Sequence, residues 1–168
     1  AVLPSIGVLY NVNDNLSLLA GAYNGFGTPT TTSGVDEEQA LNVELGGRYQ
    51  QADLMIELIA FTSDYENLVG GCTASSSTSD CDIGDQFNGG QATVRGLEFQ
   101  LTNSFQLTDS TTMPVSIAYT YTDAEFDSTF DGEFFGDVSK GDPIPYIPKT
   151  QVALALGLEN GPYRVNAN

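Results

Sequence analysis

The sequence predicts an all-β chain, an antiparallel up-and-down meander of about eight strands. Three observations predict it. Apolar and polar residues alternate with period two in one run after another. The connections between runs alternate short and long. No stretch keeps a helical period, and none approaches the roughly 20 consecutive apolar residues of a membrane-spanning helix.

The first run, from Pro4 to Tyr10, and the second, from Leu16 to Asn24, are joined by the polar turn "NVNDN". The third runs from Ala40 to Gln50. In it Leu41, Val43, Leu45, Gly47 and Tyr49 share one side, and Asn42, Glu44, Gly46, Arg48 and Gln50 share the other. A hinge at Gln51–Asp53 leads into the fourth, Leu54 to Leu68. The fifth spans Ala92 to Leu107, with Leu97, Phe99 and Leu101 against Gly96, Glu98, Gln100 and Thr102. In the sixth, Met113 to Phe126, Val115, Ile117, Tyr119 and Tyr121 oppose Ser116, Ala118, Thr120 and Thr122. The seventh, Thr150 to Glu159, sets Val152, Leu154, Leu156 and Leu158 against Gln151, Ala153, Ala155 and Gly157. The last runs from Tyr163 to Asn168.

The polar faces carry Gly, Ala, Ser, Thr, Gln and Glu and almost no lysine. A soluble sandwich wets one face with charged residues. This composition fits the inner wall of a barrel whose oily face meets lipid. The linkers agree: "QAD", "TDSTT" and "NGP" are tight, whereas Val69–Gln91 and Asp127–Lys149 are long. Tight turns at one end and long loops at the other mark outer-membrane barrels. Tyr49, Tyr65, Tyr119, Tyr121 and Tyr146 are expected in interfacial aromatic girdles.

Five cations face 22 acids, a net charge of −17. Such a surface repels nucleic acid and anionic lipid head groups, so neither is expected as a partner, although a membrane barrel can carry its acids in loops and on its inner wall. There is no histidine and no tryptophan. The commonest general base and metal ligand are therefore missing, no nucleophile pair can be assembled, and the chain is not read as an enzyme. No cofactor or metal is expected. Cys72 and Cys81 bracket a Ser/Thr-rich loop. A bridge between them contributes about 2–3 kcal/mol in the loop-entropy account and points to an oxidising compartment.

"LAGAYNGFGTPT…VDEEQALNVELGGRYQ" resembles the TonB-dependent outer-membrane receptors of the ferric dicitrate and siderophore branch. The resemblance rests on Gly25-Phe26, Pro29, Glu37 or Glu38, and Glu44-Leu45-Gly46-Gly47-Arg48-Tyr49. It continues through Phe61, Asp64, Tyr65 and Asn67, then Gly96 and Glu98, then Pro145 and Pro148. It implies a barrel of about 22 strands, of which residues 1–168 are one part, without the plug domain and without the closing strand. The implied place is the outer membrane of a Gram-negative bacterium, in contact with its lipid. The implied ligand is a ferric chelate, ferric citrate or a siderophore, imported with energy from TonB acting through the missing plug. Open sheet edges are expected to favour self-association. Two alternatives are a complete eight-stranded structural or adhesion barrel, with the last run paired to the first, and a soluble extracellular β binding module.

The loop "DAEFDSTFDGEFFGDVSKGD" interleaves carboxylates with Phe126, Phe130, Phe134 and Phe135. Clustered acids can hold calcium, but no EF-hand spacing is present and a solvated loop explains them. The phenylalanines are expected to pack against a ligand or a neighbouring loop. Phe130, Asp131, Phe134, Phe135 and Arg95 are the candidate ligand contacts. Arg95 has the parity of the lipid face and is expected near the rim. Arg48 is expected to pair with an acid on the inner wall.

Overall fold

The computed structural model of the chain describes residues 2–29, 34–72, 82–132 and 136–168, with backbone alone at 131–132. Strands β1 (Ser5–Asn11), β2 (Leu16–Gly27), β3 (Glu38–Gln51) and β4 (Leu54–Glu66) form the first half of one sheet. Strands β7 (Ala92–Thr108), β8 (Thr111–Phe126), β11 (Thr150–Asn160) and β12 (Tyr163–Ala167) form the second. The order is β1-β2-β3-β4-β7-β8-β11-β12, every neighbour antiparallel. Chain order and spatial order coincide, as a meander requires. Two hairpins absent from the sequence reading sit in the long loops: β5 (Val69–Gly71) with β6 (Gln86–Asn88), and β9 (Phe130–Gly132) with β10 (Gly136–Val138). The fourth expected run is shorter than its apolar pattern, because Asn67 takes a φ of 53° and breaks the strand.

Strands β3, β4, β7 and β8 have 14, 13, 17 and 16 residues. A tilted strand crosses a bilayer in about 9–11, so the excess carries each strand beyond the hydrocarbon. The tight turns all lie at one end. Gln51 pairs with Leu54, leaving Ala52 and Asp53 to make the turn. Asn160 pairs with Tyr163 around Gly161 and Pro162. Ala52 and Gly161 occupy the same first central position, with φ of 50° and 55°. That conformation suits glycine and strains a side chain. Ala52→Gly is expected to raise unfolding free energy by about 0.5–1 kcal/mol, after glycine's extra unfolded-state entropy. Urea unfolding in lipid vesicles reads it. An unchanged midpoint would mean that the turn adjusts without strain.

Register fixes the two faces. One outward row runs Val8, Ala20, Leu45, Ala60, Leu97, Tyr121, Thr150. The next runs Tyr10, Leu18, Gly47, Leu58, Phe99, Tyr119, Val152. Leu45 is 65% exposed, and Ile6, Val8, Leu58, Leu97, Val152 and Leu154 are exposed with it. Buried hydrophobics among the described residues are only Cys72, Ala92, Ala124, Phe126 and Val138. A soluble β module needs a core beneath its sheet, and these five leave it without one. Among the described residues nothing covers the oily face. The closed eight-stranded alternative fails as well, since β1 and β12 stand at opposite edges of the sheet.

The inward face is built differently. One row runs Gly7, Gly21, Glu44, Phe61, Gly96, Thr122, and the row below it Leu9, Leu19, Gly46, Ile59, Glu98, Thr120. The Phe61 ring lies over Gly96, and the Glu44 side chain over Gly21. Arg48 and Glu57 face each other across β3 and β4, Nε and Nη2 each 2.5 Å from Oε2. The inner-wall ion pair read from strand parity is therefore present. Tyr65 departs from the girdle expected of it. It lies on the inward side, opposite Ala40 and Ala92, where it packs beneath the loops.

Candidate functional site

The long connections converge at the end of the sheet opposite the tight turns, and polar side chains tie them together. Asn88 in β6 is the knot between the first two loops. Its Nδ2 donates to the carbonyls of Asp36 (3.0 Å) and Asn67 (3.3 Å), and its Oδ1 accepts from the Asp36 amide (2.8 Å). A primary amide donates and accepts at once, so one side chain mimics a strand partner for the chain at Asp36. The Val69 amide donates to Glu38 Oε2 (2.9 Å), joining the same two segments.

The second and third loops are joined next. The Gln91 amide donates to Ser128 Oγ (3.0 Å), and the Asp127 amide to the Gln91 carbonyl (2.8 Å). The Thr93 hydroxyl stands between Asp64 Oδ1 (3.1 Å) and the carboxylate of Asp127. It has one proton to give and two acceptors for it. The third loop also folds back on its own strand. The Phe126 amide donates to the Asp142 carbonyl (2.9 Å) and the Gly141 amide to the Phe126 carbonyl (2.8 Å).

Beneath these ties lies a small apolar core. Ala92, Phe126 and Val138 are buried, with Tyr65, Leu68, Phe130 and Ile144 packed against them. The rings of Phe126 and Phe130 meet edge to face, centroids 5.5 Å apart at 79°. The sequence set two readings for the interleaved phenylalanines, a ligand or a neighbouring loop. Phe126 and Phe130 pack in this core together with Leu68 of the second loop. Phe134 and Phe135 lie outside the described residues, as does the Asp131 side chain; the Asp131 backbone pairs with Asp137 in the β9–β10 hairpin. Cys72 is buried at the base of the second loop, its amide donating to the Asp85 carbonyl (2.8 Å). Cys81 lies outside the described residues, and the expected bridge with it.

Arg95 is on the outward face, at the loop end, as its parity predicts. Its Nε and Nη2 donate to Asp123 Oδ2 (3.2 and 2.9 Å), and Glu125 lies 3.9 Å from Nη2. Lys149 Nζ stands 3.4 Å from Asp123 Oδ1. The sequence reading missed Asn88, Thr93 and Asp123. Only Asp123 had a usable signal, being the acid that strand parity places on the lipid face beside Arg95. Among the described residues no three His, Cys, Asp or Glu side chains converge as a metal set. What the arrangement offers is a knitted rim of loops, acidic and aromatic, above a polar inner wall.

The chain matches the TonB dependent receptor-like, beta-barrel family over residues 1–168. It belongs to that family. Solved structures repeat the fold. The alcaligin outer-membrane receptor FauA of Bordetella pertussis superposes with a TM-score of 0.59 at 19% identity, over 93% of this chain and 25% of that one. The FrpB iron transporter of Neisseria meningitidis gives 0.60 at 15%, over 98% and 25%. The ferric enterobactin receptor PfeA of Pseudomonas aeruginosa gives 0.53 at 17%, over 93% and 32%. The chain thus spans about a quarter to a third of the length of the receptors it matches. Family and neighbours are receptors and transporters, not enzymes, and members of the family are outer-membrane proteins of Gram-negative bacteria.

Proposed function

We propose that residues 1–168 are a stretch of wall and mouth in an outer-membrane receptor that binds and imports a ferric chelate, ferric citrate or a siderophore. The observation that carries the reading is the two-faced open meander. An uncovered apolar face, a polar inner face and a rim of interlocked loops at one end together describe a length of membrane barrel with a binding mouth. Neighbours named for alcaligin and enterobactin support the ligand class. On this reading the edges of β1 and β12 take further strands of the same barrel. In the isolated chain they would pair with other copies. The plug, and TonB acting through it, belong to parts of the protein outside these residues. The loops face an oxidising exterior, where Cys72 and Cys81 are joined.

The test uses the full-length protein in iron-starved cells that lack other iron receptors. Radiolabelled iron is offered as citrate, as a hydroxamate and as a catecholate. Uptake of one chelate that needs TonB, and falls when residues 127–149 are replaced by a short Gly/Ser linker, is the expected result. Equal uptake of all three with and without the protein would sink the proposal.

A further inference from the structure

The sequence holds three Asn-Gly steps, Asn24-Gly25, Asn88-Gly89 and Asn160-Gly161. Glycine has no side chain to shield its backbone nitrogen, so at such a step that nitrogen can close on the asparagine amide before it. The structure gives the three steps different settings. Asn24 and Gly25 lie inside the β2–β3 ladder, paired with Leu41 and Ala40. Asn160 opens the last tight turn. It is exposed, its Nδ2 donates to Thr111 Oγ1 (2.6 Å), and the exposed Gly161 lies beyond the last ladder pair. Asn88-Gly89 is the step at the knot between the first two loops.

At that knot both reacting groups are engaged. Asn88 Nδ2 is committed to the carbonyls of Asp36 and Asn67, and its Oδ1 to the Asp36 amide. Gly89 is buried, and its amide donates to the Leu68 carbonyl at 2.5 Å, while the Leu68 amide returns a bond to the Gly90 carbonyl (2.9 Å). Asn88 is also the last residue of β6, opposite Val69, and an extended backbone carries the next nitrogen away from the side chain. Attack on Asn88 Cγ therefore requires Gly89 to leave Leu68, and Asn88 to leave Asp36 and Asn67. The second loop must first part from the first.

We propose that Asn88 is a conformation-gated deamidation site, intact while the loops are tied and converted when they part. Hydroxide takes the Gly89 amide proton, the nitrogen bonds to Asn88 Cγ, and the Cγ–Nδ2 bond breaks. Nδ2 leaves as ammonia, its third hydrogen supplied by water, which regenerates the hydroxide. Water then opens the cyclic imide at either carbonyl and leaves aspartate or isoaspartate. Neither product can remake the knot. A carboxylate has no N–H to donate, so the carbonyls of Asp36 and Asn67 lose their donor and face a negative charge instead. Isoaspartate also adds a carbon to the backbone and displaces β6 from its partner at Val69. The knot thus records each lasting opening of the second loop, and a converted copy keeps its first joint untied.

The test is peptide mapping by mass spectrometry of the full-length protein, held at mildly alkaline pH either folded in detergent micelles or unfolded in urea. Asn160-Gly161 serves as the internal clock. In urea the two steps are expected to convert at similar rates. In the folded protein Asn160 is expected to go on converting, while Asn88 slows by about tenfold or more, since several hydrogen bonds must break before attack. Asn88→Asp supplies the product directly, and hydrogen exchange at the Leu68 and Gly89 amides is expected to quicken about tenfold in it. If Asn88 converts as fast in the folded protein as in urea, there is no gate and the proposal is overturned. An Asn88 that stays intact in urea overturns it too. Unchanged exchange at Leu68 and Gly89 in Asn88→Asp would mean that conversion leaves the loops tied, and the proposal falls on that result as well.

Discussion

Replacing Gly96 with valine is expected to destabilise the barrel wall by about 3 kcal/mol. Gly96 sits at the centre of the inward row, between Phe61 on β4 and Thr122 on β8. A Cβ there would meet Phe61 Cζ at 2.8 Å and Cε1 at 2.9 Å, and it would also run into the Tyr121 carbonyl oxygen. The ring could turn aside. The carbonyl belongs to a backbone hydrogen-bonded in the sheet and cannot, because the strands to either side fix it. Overpacking at a backbone contact therefore has no cheap relief. Two controls separate the causes. Adding Phe61→Ala to the valine variant is expected to recover only part of the loss, since the carbonyl contact persists. Gly7→Val, in the same row but with nothing closer than the Ala20 carbonyl at 4.0 Å, is expected to stay within about 0.5 kcal/mol of the wild type. Urea unfolding in vesicles, read by heat-modifiable mobility, measures all three. Equal losses at Gly7 and Gly96 would mean that glycine serves strand conformation here rather than the close approach of Phe61.

The parts of this fold that period two can express were readable from the residues. Leu41, Val43 and Leu45 announced an outward face and Glu44 and Arg48 an inward one, and the register puts each there. Arg48 finds Glu57 because both have inward parity and sit directly opposite. Alternation says which side a residue takes; it does not say what covers that side. Phe61 and Ile59 lie on the polar face despite their apolar chemistry, accommodated by Gly96 and Gly46 on the neighbouring strands. That pairing depends on register between strands distant in sequence, which no local pattern encodes. The mouth was less legible for the same reason. Asn88 is one polar residue among many in a loop, and only the approach of Asp36 and Asn67 gives its amide a purpose. Tyr65 read as a girdle residue by type, yet its inward parity and its place at the loop end put it under Phe126 and Val138. Residue type predicted an interface, and position overrode it.

Truncating Phe126 to alanine is expected to loosen the loops while leaving the wall standing. Its side chain is 1% exposed, the largest fully buried one among the described residues. It touches the edge-to-face ring of Phe130 and the side chains that roof the last turn of β8. Removing a buried phenylalanine ring costs about 3–5 kcal/mol. In a barrel wall that cost would be spread through the sheet. Here the core is separate, a few side chains held between the loop ends of β4, β7 and β8, the start of the second loop at Leu68 and the folded-back third loop, so the loss falls on local opening. The amides that report it are Phe126, bonded to the Asp142 carbonyl, and Gly141, bonded to the Phe126 carbonyl. Hydrogen exchange at both is expected to quicken by two orders of magnitude or more, about 3 kcal/mol at 1.4 kcal/mol per factor of ten. Amides of β3 and β4 near Leu45 and Ala60 are expected to keep their protection. Phe130→Ala should loosen the same amides, and the double variant should fall short of the sum by about 0.5–1.5 kcal/mol, the value of an aromatic pair. If the β3–β4 amides quicken together with Gly141, the loops and the wall fold as one unit, and the rim is no independent cap. If only the loop amides respond, the mouth can open and close on a rigid barrel, and chelate uptake by the Phe126→Ala variant should fall without loss of protein from the membrane.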